Sequence, residues 1–336
     1  MDALKQLLKD LCGIVGVSGR EDSVREFIID YLKDIKDITL RVDNSGNIIA
    51  DKKGKKSGKK LMVDAHMDEV GFIVTFIEDN GLIRFSNVGG IETETLLCKK
   101  VLFKNAVGVI GMKPIHLTEA KEKDSLPKAD DLFIDIGAKS KEEALKYVSL
   151  GEVATFKSEF CDYGNGLFMG RAIDDRVGCA VLLKLLSEES EYDFTATFTV
   201  QEELGCKGAS PAAFSVKPDV AIILEGTTAG DILDVADNKK VCKVGCGTAV
   251  SFMDRVSIYD RELYELAFKQ NVICQPKAYV SGGNNSGSIA SSGNGAKVLA
   301  LSLPTRYLHS GNTIGSYNDL ESLYKLTKAM IIAINE

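Results

Sequence analysis

The amino-acid sequence predicts an α/β domain that is interrupted by an inserted β domain. The chain has 336 residues, which at roughly 150 residues per domain suggests about two domains. Helical and strand patterns alternate at both ends of the chain, as they do in α/β proteins. Between them lies a stretch of short strand patterns with many glycines, typical of a small β-barrel or sandwich. We expect one domain over residues 1–71 and 166–336 and the insert over residues 72–165.

The N-terminal part predicts two helices followed by strands. Apolar residues recur at helical spacing over residues 2–14 and 18–35, and Ser18 is the predicted N-cap of the second helix. Residues 38–54 predict two strands around an Asn-Ser-Gly turn. A strand with the buried run Leu61–Val63 follows, which suits an open α/β sheet.

The pattern changes after residue 71 and changes back near residue 166. Runs such as GLIRFSNVGG and KKVLFKNAVGVIGM alternate apolar and polar residues between glycines and charged turns. Beyond them, helix and strand alternate again, from the predicted helix DDRVGCAVLLKLLSEE to the closing helix NDLESLYKLTKAMIIAINE. These two changes define the predicted insert.

Composition and charge exclude several classes of protein. A hydrophobic content of 45% with 26% charged residues is ordinary for a globular protein. The formal charge of −7 argues against a nucleic-acid-binding protein, which would carry a basic surface. No apolar run reaches the ~18 residues that a membrane-spanning helix needs. Eight scattered cysteines and the lack of an export signal predict reduced, mostly buried thiols in a cytoplasmic protein.

The first candidate site residue is His66, in the segment VDAHMDEVG. Residues two apart on a strand face the same side, so His66 and Asp68 project together. A histidine beside a carboxylate suits a metal ligand whose second ring nitrogen is held by that acid. A core histidine that satisfies its hydrogen bonds with a neighbouring Asp explains the pair equally well.

Two pairs of acids follow. Asp174 and Asp175 precede an apolar helix, where an N-cap and a first-turn acid are the simple explanation. Glu202 and Glu203 follow a strand. Because adjacent strand residues point to opposite faces, both glutamates enter one cleft only if the chain turns there, and Leu204-Gly205 allows such a turn.

Two single residues complete the set. Glu225 directly follows the apolar run Ile222–Leu224, and His309 follows another apolar strand. Open α/β sheets bind ligands at the carboxyl ends of their strands. Five acid or imidazole sites at such positions together indicate a functional centre.

Five segments also resemble motifs of a known family. They are AHMDEVG, AIDDRVG, VQEELGCKGA, EGTTAGD and RYLHS, in this order along essentially the whole chain. Together they resemble the M42 family of metallo-aminopeptidases, which includes glutamyl aminopeptidases and the tetrahedral TET peptidases. The resemblance implies a mixed-sheet zinc-peptidase catalytic domain with helices on both faces, interrupted by a small β-barrel that serves dimerisation and assembly.

The resemblance implies a set of ligands for two divalent metal ions per subunit, namely zinc, cobalt or manganese. His66 binds one ion, and Glu203 and His309 bind the other. Asp174 bridges both ions, usually beside a cis peptide bond. The remaining ligand of the family is usually Asp, and Glu225 stands at that position. Related dinuclear zinc peptidases use either acid there, so Glu225 stays in the expected set.

The implied reaction removes N-terminal residues from short peptides. Glu202 is the implied general base, and Asp68 supports His66. Two divalent ions would outweigh three carboxylate ligands by roughly one positive charge, which favours a bridging hydroxide as nucleophile. Magnesium or calcium alone would not explain two histidines in the site.

Three implied properties concern specificity and assembly. The family usually reads GGTDAG where this chain has GGNNSG, so Asn284 and Asn285 replace Thr and Asp, and the preferred N-terminal residue stays open. His116 lies in the insert, where we expect a structural or subunit-contact role. Family members assemble through the insert, so we expect a homo-oligomer, either a dimer or a tetrahedral dodecamer.

Three alternatives remain open. A deacylase or carboxypeptidase would use the same dinuclear scaffold. An endoglucanase needs only two carboxylates, and that chemistry does not require His66, His309 or a bridging Asp174. A non-catalytic assembly protein would keep metal for stability alone, and an intact Glu202 argues against it.

Overall fold

The structure is a computed structural model that describes residues 1–117 and 127–336. The α-helices in this part of the chain are α1 (Asp2–Gly13), α2 (Asp22–Leu32), α3 (Lys141–Ala144), α4 (Ile173–Leu186), α5 (Ala209–Val216), α6 (Arg261–Lys269), α7 (Ser286–Ala290) and α8 (Tyr317–Ala333). The strands are β1 (Ile38–Val42), β2 (Ile48–Lys52), β3 (Leu61–His66), β4 (Gly71–Ile77), β5 (Ile83–Val88), β6 (Lys100–Leu102), β7 (Val107–Gly111), β8 (Phe133–Asp135), β9 (Val153–Phe156), β10 (Cys161–Gly164), β11 (Leu167–Gly170), β12 (Phe194–Thr199), β13 (Val220–Thr228), β14 (Thr248–Ser251), β15 (Cys274–Lys277), β16 (Lys297–Thr305) and β17 (Thr313–Ser316).

The main sheet has eight strands in the order β1-β2-β12-β3-β13-β16-β14-β15. Its central strands β12, β3, β13 and β16 are parallel, whereas β2 and β14 run antiparallel to their neighbours β12 and β16. The sheet is therefore mixed, which confirms the predicted fold class. Every residue of β3 is buried, as expected for a parallel strand covered on both faces.

Helix α4 packs against the central strands and is buried over almost its whole length. Ten apolar and glycine positions lie in its sequence IDDRVGCAVLLKLL, and the fully buried Arg176 stands among them. A helix that is apolar all round belongs inside a protein, not on its surface. This burial fixes the N-terminal end of α4, with its two aspartates, against the sheet.

The predicted small barrel is present as a closed structure. Its strands run in the order β4-β5-β8-β7-β6-β9, and it has its own apolar cluster around Phe72, Phe85 and Phe156. Strand β10 lies within the range 72–165 of the predicted insert, and it pairs with β11, which in turn pairs with β17.

Two local expectations were wrong. Helix α2 begins at Asp22 with Glu21 as its N-cap, not at Ser18. The amide of Ser18 donates to the carbonyl oxygen of Glu69, and Gly19 has φ +80, so the chain forms a bridge and a turn before the helix. The thiols are not mostly buried either, because only Cys12, Cys179 and Cys242 of the eight free cysteines are.

The described residues also settle two smaller points. They include no helix that is both long enough and apolar enough to span a membrane. His116 is exposed on a 3-10 helix, Ile115–Leu117, which directly precedes residues 118–126, the range that the structure does not describe.

Candidate metal centre

The site residues meet at one edge of the main sheet. His66 is the last residue of β3 and lies opposite Thr199, the last residue of β12. Glu225 is on the adjacent β13, and His309 follows β16. Parallel strands bring their carboxyl ends to the same edge, which is where open α/β sheets bind ligands.

His66, Asp174 and Glu225 form one group of candidate ligands. Nε2 of His66 lies 3.1 Å from Oε1 of Glu225 and 3.4 Å from Oδ1 of Asp174. All three residues are buried. Their ligand atoms lie within 4.8 Å of one another, which is close enough for one ion to contact all three.

Asp174, Glu203 and His309 form a second group. Nε2 of His309 lies 3.4 Å from Oδ2 of Asp174 and 3.4 Å from Oε1 of Glu203. Nδ1 of His309 is held by the carbonyl oxygen of Gly90 at 2.7 Å. Asp174 therefore presents one carboxylate oxygen to each histidine, and the two groups share this residue.

The backbone at the start of α4 explains how Asp174 reaches this position. The residue that caps α4 is Ala172, with φ 54, and Asp174 and Asp175 have non-helical dihedral angles. The peptide between the two aspartates is cis. Neither aspartate acts as the simple N-cap that the sequence allowed.

Asp175 is a residue whose role the sequence analysis did not identify. Its Oδ2 accepts a hydrogen bond from the amide of His66 at 3.2 Å, and its Oδ1 accepts one from the amide of Gly178. This fully buried carboxylate thus ties the end of β3 to α4. In the sequence, only the Asp-Asp pair itself pointed to a role for Asp175.

Asp68 connects His66 to the two glutamates. Its Oδ1 lies 3.3 Å from Nδ1 of His66. The same carboxylate accepts the amides of Glu202 and Glu203 at 3.0 and 3.1 Å. The chain already turns at Gln201, with φ 54, three residues before the predicted turn at Leu204-Gly205. Both glutamates therefore face the same cleft.

Burial and mutual charge shift the protonation of the site. Burial raises the pKa of Glu202 to about 7 and that of Glu203 to about 8, and the charge of Asp174 acts in the same direction. Burial by itself would lower the pKa of His309, but the hydrogen bond to Asp174 and the charge of Glu203 raise it to about 9. The carboxylates thus favour positive charge in the site.

The donor set fits divalent ions of the zinc type. Two imidazoles and three carboxylates are the ligands that zinc and its neighbours prefer. Oε2 of Glu225 is buried and has no hydrogen-bond partner among the described residues. A buried carboxylate oxygen without a partner is costly, and a cation at this point would satisfy it.

A cleft of about 590 Å³ opens beside the two groups. Glu202 lines it, and the thiol of Cys206 donates to Oε1 of Glu202 at 3.4 Å. The cleft is lined on its other side by the segment 281–284, which includes Asn284. A peptide in this cleft would lie next to both groups of ligands.

Known proteins resemble the chain over nearly its whole length. The profile of the M42 glutamyl aminopeptidase family matches residues 46–326. A relative from Acetivibrio thermocellus with a provisional aminopeptidase name is 41% identical over 95% of this chain and 96% of its own.

Two solved structures share the fold. The TET1 peptidase of Pyrococcus horikoshii, which can assemble into a tetrahedron or a large octahedral shell, has a TM-score of 0.83 at 34% identity, covering 97% of this chain and 98% of its own. A Thermotoga maritima structure named as an endoglucanase has a TM-score of 0.79 at 36% identity. The match covers 97% of this chain and 99% of its own. By profile, identity and fold, the chain belongs to the M42 aminopeptidase family of metal-dependent hydrolases that act on peptide bonds.

Proposed function

We propose that this protein is a dinuclear aminopeptidase that removes N-terminal residues from short peptides. The observation that supports it most is Asp174, whose two carboxylate oxygens face His66 and His309 separately. His66, Asp174 and Glu225 would hold one ion, and Asp174, Glu203 and His309 the other. Zinc, cobalt or manganese would suit these ligands. When bound, the ions would supply Lewis acidity and lower the pKa of water.

Glu202 is the proposed general base. It lines the cleft beside the ligands, and burial raises its pKa to about 7, which suits a group that both takes up and releases a proton near neutral pH. It would take a proton from the attacking water and return it to the leaving amine. Asp68 would act as a positioning residue, because its carboxylate holds the amides of Glu202 and Glu203 and faces His66.

Aminoacyl-anilides and their N-acetylated counterparts test this function. We expect cleavage of the free aminoacyl-anilides after loading with zinc, cobalt or manganese, and loss of cleavage after chelation. The acetylated compounds should not be cleaved. Release of acetate from the acetylated compounds instead would indicate a deacylase. Release of C-terminal residues from N-blocked peptides would indicate a carboxypeptidase, and hydrolysis of a soluble cellulose without peptidase activity would indicate an endoglucanase.

The Glu202→Gln variant tests the general base. We expect kcat to fall by about 10²–10⁴-fold, because the proton acceptor is lost while the ligands stay in place. Metal content measured by elemental analysis should equal that of the wild type. The matched control is Glu26→Gln on the exposed surface of α2, which should keep full activity. A Glu202→Gln enzyme with most of its turnover would contradict the proposed role.

We further propose a homo-oligomer, a dimer or a tetrahedral dodecamer, in which the barrel serves as the inserted assembly domain. The support is the TET1 structure, whose copies assemble into closed shells. Light scattering of the purified protein distinguishes a dimer from a dodecamer, and a monomer would contradict the proposal. All eight cysteines are free, which is consistent with the reducing cytoplasm where we expect the protein to act.

A further inference from the structure

One half-buried cysteine lies against the proposed general base. The thiol of Cys206 donates a hydrogen bond to Oε1 of Glu202 at 3.4 Å, and both residues line the cleft. No other side chain in the described part of the chain donates a hydrogen bond to this carboxylate. The contact therefore bears on how the reacting group of Glu202 is held.

Other groups hold the backbone of this segment. Asp68 accepts the amide of Glu202 at 3.0 Å, and the buried Glu21 accepts the amide of Gln201 at 3.1 Å. The amide of Cys206 donates to the carbonyl oxygen of Glu202 at 2.8 Å. These bonds fix the main chain at Glu202 but not the rotamer of its side chain. The thiol of Cys206, by contrast, acts on the carboxylate itself.

The thiol of Cys206 is in the protonation state that can donate. Burial and the negative charge of Glu202 raise the pKa of this thiol above its usual range, so it stays protonated near neutral pH. A thiol is a weak donor, but hydrogen bonds to a charged acceptor are stronger than those between neutral groups. A carboxylate offers two oxygens, and a donor on Oε1 leaves Oε2 for the proton of the attacking water.

We propose that Cys206 is a positioning residue that orients the carboxylate of Glu202 toward the attacking water. This inference rests on the proposed role of Glu202 as general base. Without the thiol, the side chain of Glu202 would populate other rotamers. A displacement of about 1 Å in a reacting group can cost about 100-fold in rate, so even a weak hydrogen bond at this point affects turnover.

Three substitutions separate the thiol from the backbone at this position. Cys206→Ala removes the donor, so kcat for a free aminoacyl-anilide should fall by about 3- to 30-fold, with KM and metal content unchanged. Cys206→Ser keeps a donor and should stay within about threefold of the wild type. The backbone of Cys206 has φ 56, which favours glycine. Cys206→Gly should therefore be at least as stable as Cys206→Ala in thermal unfolding, yet equally slow.

Cys98 provides a matched control. It is also a cysteine with a left-handed backbone, φ 60, and it is exposed just before β6. Cys98→Ala and Cys98→Gly should show the same order of stability and leave kcat unchanged. A second control combines Cys206→Ala with Glu202→Gln. This double variant should be slower than Glu202→Gln alone by no more than about twofold, because the thiol then has no base to orient.

An infrared measurement tests the hydrogen bond without turnover. The S–H stretching band of Cys206 is obtained by subtracting the spectrum of Cys206→Ala from that of the wild type, and the same subtraction is made in the Glu202→Gln background. A hydrogen bond lowers the frequency of this band, so we expect a higher frequency in Glu202→Gln, where the charged acceptor is lost. An unchanged frequency would show that the thiol does not donate to Glu202 and would overturn the inference.

The remaining outcomes separate the two proposals. If Cys206→Ala keeps the kcat of the wild type while Glu202→Gln is inactive, the inference is overturned and the general base stands. A loss that appears in KM, or that recurs in full in the double variant, assigns Cys206 to substrate binding or to the fold and also overturns it. A metal-loaded wild type that cleaves no anilide contradicts the aminopeptidase function itself.

Discussion

Asn285, one of the two residues of GGNNSG that differ from the motif the resemblance implies, makes two buried hydrogen bonds. Its side-chain amide donates to Oδ2 of Asp64 at 2.8 Å and to the hydroxyl of Thr199 at 2.9 Å. Asp64 is fully buried two residues before His66, and burial raises its pKa to about 6. An acid at position 285 would face this carboxylate. Asn285 therefore supports β3, whereas only its neighbour Asn284 lines the cleft.

The contact predicts the effect of an acid at position 285. Asn285→Asp should lower the free energy of unfolding by about 1–3 kcal/mol, because two buried carboxyl groups replace a hydrogen-bonded pair. Asp64→Asn in the same chain should recover a large part of that loss, which urea unfolding measures as a coupling energy. Asn80→Asp, in an exposed turn, is the control and should be nearly neutral. Strictly additive effects of the two changes would contradict the pairing.

At the level of elements, Glu69 joins three parts of the fold. Its carboxylate accepts the amide of Gly16, the hydroxyl of Thr155 on β9 and the guanidinium of Arg171. Arg176 on α4 lies beside it and donates to the carbonyl oxygens of Leu11 and Met67. The barrel, the N-terminal helix and α4 are thus connected through one buried carboxylate beneath the site.

Removing this charge should be costly. We expect Glu69→Gln to lower the free energy of unfolding by about 3–5 kcal/mol, because it leaves buried arginine charge uncompensated. Glu78→Gln removes the partner of Arg84 in a half-exposed pair on the barrel and should cost below about 1 kcal/mol. Denaturant unfolding of both variants makes the comparison. Equal losses in the two variants would show that the Glu69 network contributes no more than a surface pair.

The end of α4 is joined to α8 by a second carboxylate. Glu188 accepts from the hydroxyl of Tyr324 at 2.7 Å and from Nζ of Lys328 at 2.6 Å, and it pairs with Lys184. Burial disfavours its ionised form, but the hydrogen bonds from Lys184, Lys328 and Tyr324 outweigh burial and lower the pKa of Glu188 to about 2.

This lowered pKa gives a pH dependence with a definite sign. A carboxyl group with a depressed pKa stabilises the fold fully above its unfolded pKa of ~4.3 and loses this contribution as pH falls toward 2. Glu188→Gln should therefore be less stable than the wild type by about 1 kcal/mol at pH 7, and the difference should shrink between pH 4.5 and pH 3. Thermal unfolding at these pH values measures it, with the exposed Glu189→Gln as control. A difference that grows on acidification would refute the assignment.

For the whole molecule, the two candidate ligand groups link metal binding to stability. Without cations, the buried carboxylates must share protons with the histidine nitrogens that lie within 4.8 Å of them. An ion present at about 100 times its Kd adds ~2.7 kcal/mol to the free energy of unfolding. We therefore expect removal of one ion by a chelator to lower Tm by about 4 °C and removal of both by about 8 °C.

Adding back different ions makes this test specific. Zinc, cobalt or manganese should restore Tm, and magnesium should not, because it does not favour imidazole ligands. A variant with both His66→Ala and His309→Ala should show no shift with any of these ions. An unchanged Tm after complete removal of metal from the wild type would count against metal ligation by these residues.

The sequence by itself determined the mixed α/β fold, the small barrel and the five segments that carry the site. Periodicity reports which faces of the helices and strands are buried, so the fold can be derived from local patterns. The carboxyl ends of parallel strands meet at one edge of a sheet, so the grouping of the site segments can be derived from local patterns as well. The family resemblance implied that Asp174 serves both ions. Only the tertiary structure decided which oxygen of Asp174 faces which histidine, that the chain turns at Gln201 and that Asn285 meets Asp64. It also decided that Ser18 does not cap α2 and that Lys277 lines the cleft. Each of these depends on contacts between residues far apart in the chain, and the packing of elements sets such contacts, whereas sequence periodicity does not encode them.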